Sequence, residues 1–365
     1  MTPIGGPTGQ PRRQHYLPAS FLGNFSKQEH GSRRKRMIVV GDKRGKRCFR
    51  AAAGKVAAEK DFYTVQGQND PVFLERIWAG YENRLARAIE ELVEESIDAL
   101  TWAGVLVPFV SSLLVRGPDF GERFEARLKS VLPEGMEVPK DNTNLARSLE
   151  LQRLLAPILA AQWIVAEAQG AGSLITNDMA FAGFRAPQTG EVGLAVPLSR
   201  RHVLQLVPTR KRVVATAKGG RWLPEIEYRR LSPGNHLQFN AVMAIWARRF
   251  IFGPDEATVS TYLHKSGTTA APVPDPGTLG SPGGRLARVH EFTWHHLISV
   301  LTKSPDDANA WNFSPILDYK AIASVWKLMV VIPLTSPMFP PGLSREGNSI
   351  IVDLYDVEGL TDQGI

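Results

Sequence analysis

One change of pattern limits the architectures open to this chain. Between Pro71 and Gln169 the apolar residues recur at three- and four-residue steps, the period of an amphipathic helix. Phe73, Ile77, Tyr81, Leu85, Ala88, Ile89 and Leu92 form the first such stripe, behind Asp70 and Pro71 at favourable helix-start positions. Further helices are expected over Ala99–Val115, Pro118–Val131 and Asn144–Gln169, the last interrupted by Pro157. Beyond this stretch the runs become short. Ser173–Thr176, Val192–Pro197 and Val203–Val207 read as strands, with Lys211–Ala217 a weaker candidate. Asn235–Phe252 returns to helical spacing, with Phe239, Val242, Met243, Trp246 and Phe250 on its apolar side. Runs of helix and then a strand cluster, without regular alternation, imply an α+β fold. Its expected parts are an N-terminal β-hairpin, a helical bundle and a small mixed or antiparallel sheet.

The hairpin is read from residues 36–50. Met37-Ile38-Val39-Val40 is a β-branched run, Gly41–Lys46 has turn chemistry, and Arg47-Cys48-Phe49-Arg50 alternates polar with apolar. Residues 1–11 are expected to be a flexible N-terminus, and 12–265 a main α+β domain. Residues 266–285 hold five glycines and four prolines and read as a linker or long surface loop. Residues 286–365, with a helix near Pro315–Met329 and a strand at Ser349–Leu354, are expected to pack on the main domain.

Charge is unevenly spread. The net value is +7, yet residues 1–60 hold 14 Lys/Arg against three acids, a local +11, so the rest of the chain carries −4. A local basic face is the electrostatic footprint of a phosphate-backbone binder. Arg33, Arg34, Lys35, Arg36, Lys43, Arg44, Lys46 and Arg47 are the nucleic-acid-binding candidates; the alternative is a solvated face. The single cysteine, Cys48, excludes an intrachain disulfide framework and a cysteine zinc cluster. With no apolar leader in Met1–Gln10, a cytoplasmic location is expected. The uncharged stretch Ala99–Val115 is at the short end of spanning length and contains Pro108, so a kinked buried helix is expected, with no membrane partner.

Several polar residues sit inside apolar surroundings. His15, beside Tyr16 and ahead of Phe21, Leu22 and Phe25, has the chemistry of a general acid, a general base or a metal ligand; its other role is as a packed ring. Arg116, at the end of an apolar helix, suits bidentate contact with a phosphate or carboxylate, or alternatively an internal ion pair. Asp178 follows a strand beside Thr176 and Asn177, where a carboxylate serves as metal ligand or base, or else accepts local backbone N–H groups. Asn240 and Arg248 are eight residues apart, near two helical turns, and with Tyr16 and Thr176 are candidates for substrate contact. His290, His295 and His296 do not share one helix face. Cys48, within a strand, is expected to be packed and not nucleophilic. No dinucleotide, Walker, nucleophile-elbow or H-E-x-x-H signature occurs.

The order of these landmarks resembles a bacterial family catalogued as domain of unknown function 4238. His15-Tyr16-Leu17-Pro18 with Phe21, Leu22 and Phe25 resembles its H-Y-x-P opening. The hairpin with Asp42 at its turn is similar to the next element. Arg116-Gly117-Pro118 resembles an R-T-P step, and Leu174–Met179 an F-I-T-S-D-N-P motif. Pro197-Leu198-Ser199, then Asn240, Ala244 and Arg248, resemble the closing landmarks. The likeness covers about residues 12–252. Gly117, Asn177 and Met179-Ala180 depart from the pattern. The resemblance implies architecture and candidate positions but no reaction. The function expected is a phosphate-directed, nuclease-like hydrolase using His15, Arg116 and Asp178, with a divalent metal at Asp178 as candidate cofactor. The alternative is a non-catalytic nucleic-acid- or protein-binding module, including an accessory component of a defence system.

Overall fold

The helix Phe73–Val93 buries Leu74, Trp78, Tyr81, Leu85, Ala88, Ile89 and Leu92 as one stripe, as apolar spacing dictates. The structure is a computed structural model and describes residues 13–65, 70–129, 140–185, 192–265, 284–307 and 343–354. The expected flexible N-terminus 1–11, the 266–283 part of the linker and the helix near 315–329 lie outside the described residues.

Phe73–Val93 packs on the apolar helical run from Ala99 to Arg116. Trp102–Leu106 is a π-helical turn, directly before Val107–Arg116 with Pro108 in its first turn. Proline lacks an N–H, and its ring crowds the carbonyl four residues back; the widened turn ahead of Pro108 accommodates both. The run is long and apolar enough to cross a membrane, yet 83% of it is buried inside the protein.

Lys140–Ala160 packs against Val107–Arg116 and against the helix Gly284–Leu301. Here one expectation is corrected. The helix ends at Ala160, and Gln162–Ala168 is a strand. It lies between Ile226–Leu231, a parallel partner, and His202–Val207, an antiparallel one. A central strand reads as a continuous apolar run, and periodicity alone does not separate Trp163-Ile164-Val165-Ala166 from a buried helical turn. The same correction applies at Asn235–Phe252. The helix is Pro233–Trp246, and Phe250–Gly253 is a strand.

The fold is mixed α+β. The five-stranded sheet runs Ile226–Leu231, Gln162–Ala168, His202–Val207, Val192–Pro197 and Ala182–Arg185. A four-stranded sheet holds the expected hairpin, Arg47–Ala52 and Met37–Asp42, extended by Phe250–Gly253 and Thr176–Asn177. A second four-stranded sheet pairs Lys211–Lys218 with Ser349–Asp353, joining the C-terminal residues to the main body. Arg13–His15 pairs with Ala58–Lys60. The helix Glu256–Leu263 lies on the hairpin sheet, where a Cβ on Gly41 or Gly253 would come within 2.7 Å of Val259.

Candidate functional site

His15 ends the short strand Arg13–His15, and its backbone meets the end of the helix Val107–Arg116. Arg116 Nη2 donates to the His15 carbonyl at 2.7 Å, and Nη1 forms an ion pair with Glu82. The guanidinium stacks 5.0 Å from the Trp78 ring centroid, and the Tyr63 hydroxyl donates to the Arg116 carbonyl at 2.9 Å. Arg116 is only 1% exposed. Burial works against its charge, but Glu82 and the phenols of Tyr63 and Tyr81 outweigh it, so its pKa lies above the ordinary value. The His15 imidazole is half-buried, with Nε2 3.3 Å from the Gly54 carbonyl oxygen. Burial lowers its pKa, so the ring is neutral at pH 7.

Sequence reasoning missed the carboxylates of this cluster. Glu75 and Glu82 are seven residues apart on the helix Phe73–Val93, two turns along one face with Trp78 between them. Glu75 is half-buried, and burial raises its pKa against the pull of Arg116. Among the described residues its Oε1 has no hydrogen-bond partner, and neither have the Nε of Arg116 and the Nε1 of Trp78. The seven-residue spacing of the two acids is the signal that could have found them; the larger acidic run later in the helix masks it.

Asp178 is held by other partners. Oδ1 accepts from the Arg248 amide at 2.9 Å, and Oδ2 from the Arg249 and Phe250 amides at 2.7 and 3.0 Å. The carboxylate thus ties down the turn between the helix Pro233–Trp246 and the strand Phe250–Gly253. Burial raises its pKa while the backbone donors oppose that rise. These three amides, and not His15 or Arg116, are its hydrogen-bond partners among the described residues. Asn177 completes the knot, donating to the Phe181 and Met243 carbonyls and accepting from the Met179 amide. Thr176 is buried, and among the described residues its hydroxyl has no hydrogen-bond partner. Among the described residues no group of three His, Cys, Asp or Glu side chains is placed to hold a metal ion. The His290 side chain lies outside those residues.

The remaining candidates have structural partners. Asn240 Oδ1 accepts from the Ile175 amide at 3.0 Å, and its Nδ2 donates to the Ser173 carbonyl at 2.9 Å. Tyr16 is buried against Phe62, and burial followed by the Asp178 charge raises its pKa. The Arg248 guanidinium reaches only to 3.8 Å from Glu122. Lys43, expected on the cationic surface, turns inward and donates to the Ala244 and Ala247 carbonyls at 2.8 and 2.9 Å. It closes the end of a helix whose last carbonyls need donors. Asp42 organises the hairpin turn. It accepts from the Arg44 and Gly45 amides and from two nitrogens of Arg249, and the Arg249 hydrogen bond holds its pKa below the ordinary carboxylate value.

The cationic stretch divides into two parts. Arg33 forms an ion pair with Glu90, and Arg36 donates to the Glu29 carbonyl. Arg34, Lys35, Arg44, Lys46, Arg47 and Arg50 are exposed, and among the described residues their side chains form no ion pair. Phe49 stands among them at 38% exposure, on the same face of the sheet-edge strand Arg47–Ala52 as Arg47. Cys48, on the opposite face, is half-buried, and burial raises its thiol pKa.

A family model described as "Protein of unknown function (DUF4238)" matches residues 13–257. No curated protein and no solved structure matches the chain.

Proposed function

We propose, for a chain that belongs to this family of unknown function, that it binds nucleic acid through the exposed cations of its N-terminal hairpin and of the turn before it. The observation that carries this reading is the set of six exposed cations, Arg34, Lys35, Arg44, Lys46, Arg47 and Arg50, that no described acid neutralises. Unpaired surface cations release condensed counterions from a phosphate backbone on binding. Phe49 offers a ring on which an unstacked base can lie, which favours single strands.

Fluorescence anisotropy with labelled single-stranded and duplex oligonucleotides tests it. If four of the cations contact phosphates of a single strand, affinity falls on the order of 50-fold between about 50 and 200 mM salt. The quadruple variant Arg44→Gln, Lys46→Gln, Arg47→Gln, Arg50→Gln then loses most of that salt dependence. An unchanged affinity in the variant refutes the reading.

A second reading, hydrolysis of a phosphodiester, is favoured by Glu75 alone. Burial raises the pKa of Glu75, which suits a proton donor, and Glu82 paired with Arg116 and the half-buried His15 stand alongside it. Asp178 lies outside this version, since three amides occupy its oxygens. A panel of phosphodiester substrates is the assay. Turnover that survives both Glu75→Gln and His15→Ala eliminates this site.

A further inference from the structure

A second cationic feature lies where the Arg33–Lys35 turn meets the helix Phe73–Val93 and the connection between the strands Val192–Pro197 and His202–Val207. A cavity of about 230 Å³ opens there, with Arg33, Arg36, Arg200 and Arg201 in its wall and Glu29 and Glu90 as its acids. Arg201 pairs with Glu167 at 3.5 Å, so the wall has a surplus of one positive charge. The connection is held in shape by the Ser199 hydroxyl, which accepts from the Arg201 and His202 amides, each at 3.1 Å. Arg201 is anchored through Nη1 on the Gly170 carbonyl at 2.8 Å.

The cations and acids of this cavity are not equivalent. The Arg33 side chain is 20% exposed against 54% for its partner Glu90. Arg200 is 31% exposed against 69% for Glu29. In both pairs the arginine side chain is more buried than the carboxylate it meets. The Nε atoms of Arg33 and Arg36 are buried and have no hydrogen-bond partner among the described residues. Burial and then the neighbouring Arg33 charge lower the Arg36 pKa, the mark of crowded cations.

We propose that this cavity is a binding site for a phosphate group, with Arg33, Arg36 and Arg200 as its donors and Glu29 and Glu90 as exchangeable counter-ions. A phosphate offers more acceptor oxygens than a carboxylate and matches guanidinium geometry in pairs. The site needs only a phosphate group, so it does not depend on nucleic-acid binding by the hairpin. Its source is the terminal phosphate of a strand or a free phosphate ester.

Isothermal titration of the full chain with inorganic pyrophosphate, in a low-salt buffer free of phosphate, is the test. Saturable binding is expected, weakened about tenfold or more in Arg200→Gln. Glu29→Gln is expected to bind about threefold more tightly, because a competing carboxylate is gone. That gain of affinity does not arise if the arginines are only structural, and it is readable even if an arginine variant fails to fold. No saturable heat with either the natural chain or Glu29→Gln overturns the site, as does unchanged affinity in a folded Arg200→Gln. A preference for a 5′-phosphorylated over a 5′-hydroxyl oligonucleotide, lost in Arg200→Gln, supports a strand end as the source. Equal affinity for the two, with pyrophosphate binding retained, supports a free ester.

Discussion

Replacing Arg116 by methionine should be among the most damaging single changes in this chain. The substitution keeps an apolar side chain near Trp78 but removes the cation from Glu82 and the donor from the His15 carbonyl. Breaking a buried ion pair by deleting one partner costs about 3–5 kcal/mol, since the remaining charge is left uncompensated. Glu82 retains 24% exposure, which moves its share towards the lower end. The orphaned His15 carbonyl adds about 1 kcal/mol, so a total near 4 kcal/mol is expected. That is a large part of the about 5–15 kcal/mol that holds a typical domain together. Pairing the change with Glu82→Gln removes the stranded charge, so the double variant should be more stable than the sum of the single changes allows, with a coupling of about 2 kcal/mol. Urea unfolding followed by far-UV circular dichroism measures all four species. A single-variant loss below about 1 kcal/mol, or additivity within about 0.5 kcal/mol, would refute the idea that the pair acts as a unit.

Asp178→Ala deprives three amides of their acceptor and should destabilise by about 3 kcal/mol, with hydrogen exchange at Arg248, Arg249 and Phe250 accelerating more than the global average. If exchange at those three amides is unchanged, the carboxylate does not hold the turn. Asp42 has its pKa lowered, first through Arg249. Its contribution is therefore fully present above the ordinary aspartate pKa and is lost as pH falls through the lower folded value. Asp42→Asn should lose stability at pH 7 and show a flatter decline than the natural chain as pH falls below the ordinary aspartate pKa. Parallel acid-unfolding curves would show that the Arg249 contact has no energetic consequence.

The elements that can be read along the chain are those whose signal is local. The β-branched run Met37–Val40 and the short segment Arg47–Arg50, on either side of a Gly-Asp-containing turn, specify the hairpin through local strand and turn chemistry. The stripe from Phe73 to Leu92 specifies its helix through the 3.6-residue period of helical side chains. Gln162–Ala168 merges with the preceding helix in the sequence because a central strand has no polar face to reveal its period. The hydrophobic run Phe250–Gly253 merges with its neighbouring helix in the same way.

The site divides along the same line. His15, Arg116 and Asp178 stand out in the sequence as polar residues in apolar surroundings, and all three are engaged in long-range hydrogen bonds through side chain or backbone. What each one engages was decided only by the tertiary structure. Arg116 meets a carbonyl 101 residues away and a carboxylate 34 away, while Asp178 meets amides 70–72 residues along the chain. The inward turn of Lys43 and the gathering of Arg33 and Arg36 with Arg200 and Arg201 are of the same kind. Residue type determines which atoms can donate, accept or carry charge, and periodicity determines which face they occupy. Whether a charge finds a partner or is left facing water depends on groups brought close by folding, and no local pattern encodes that proximity.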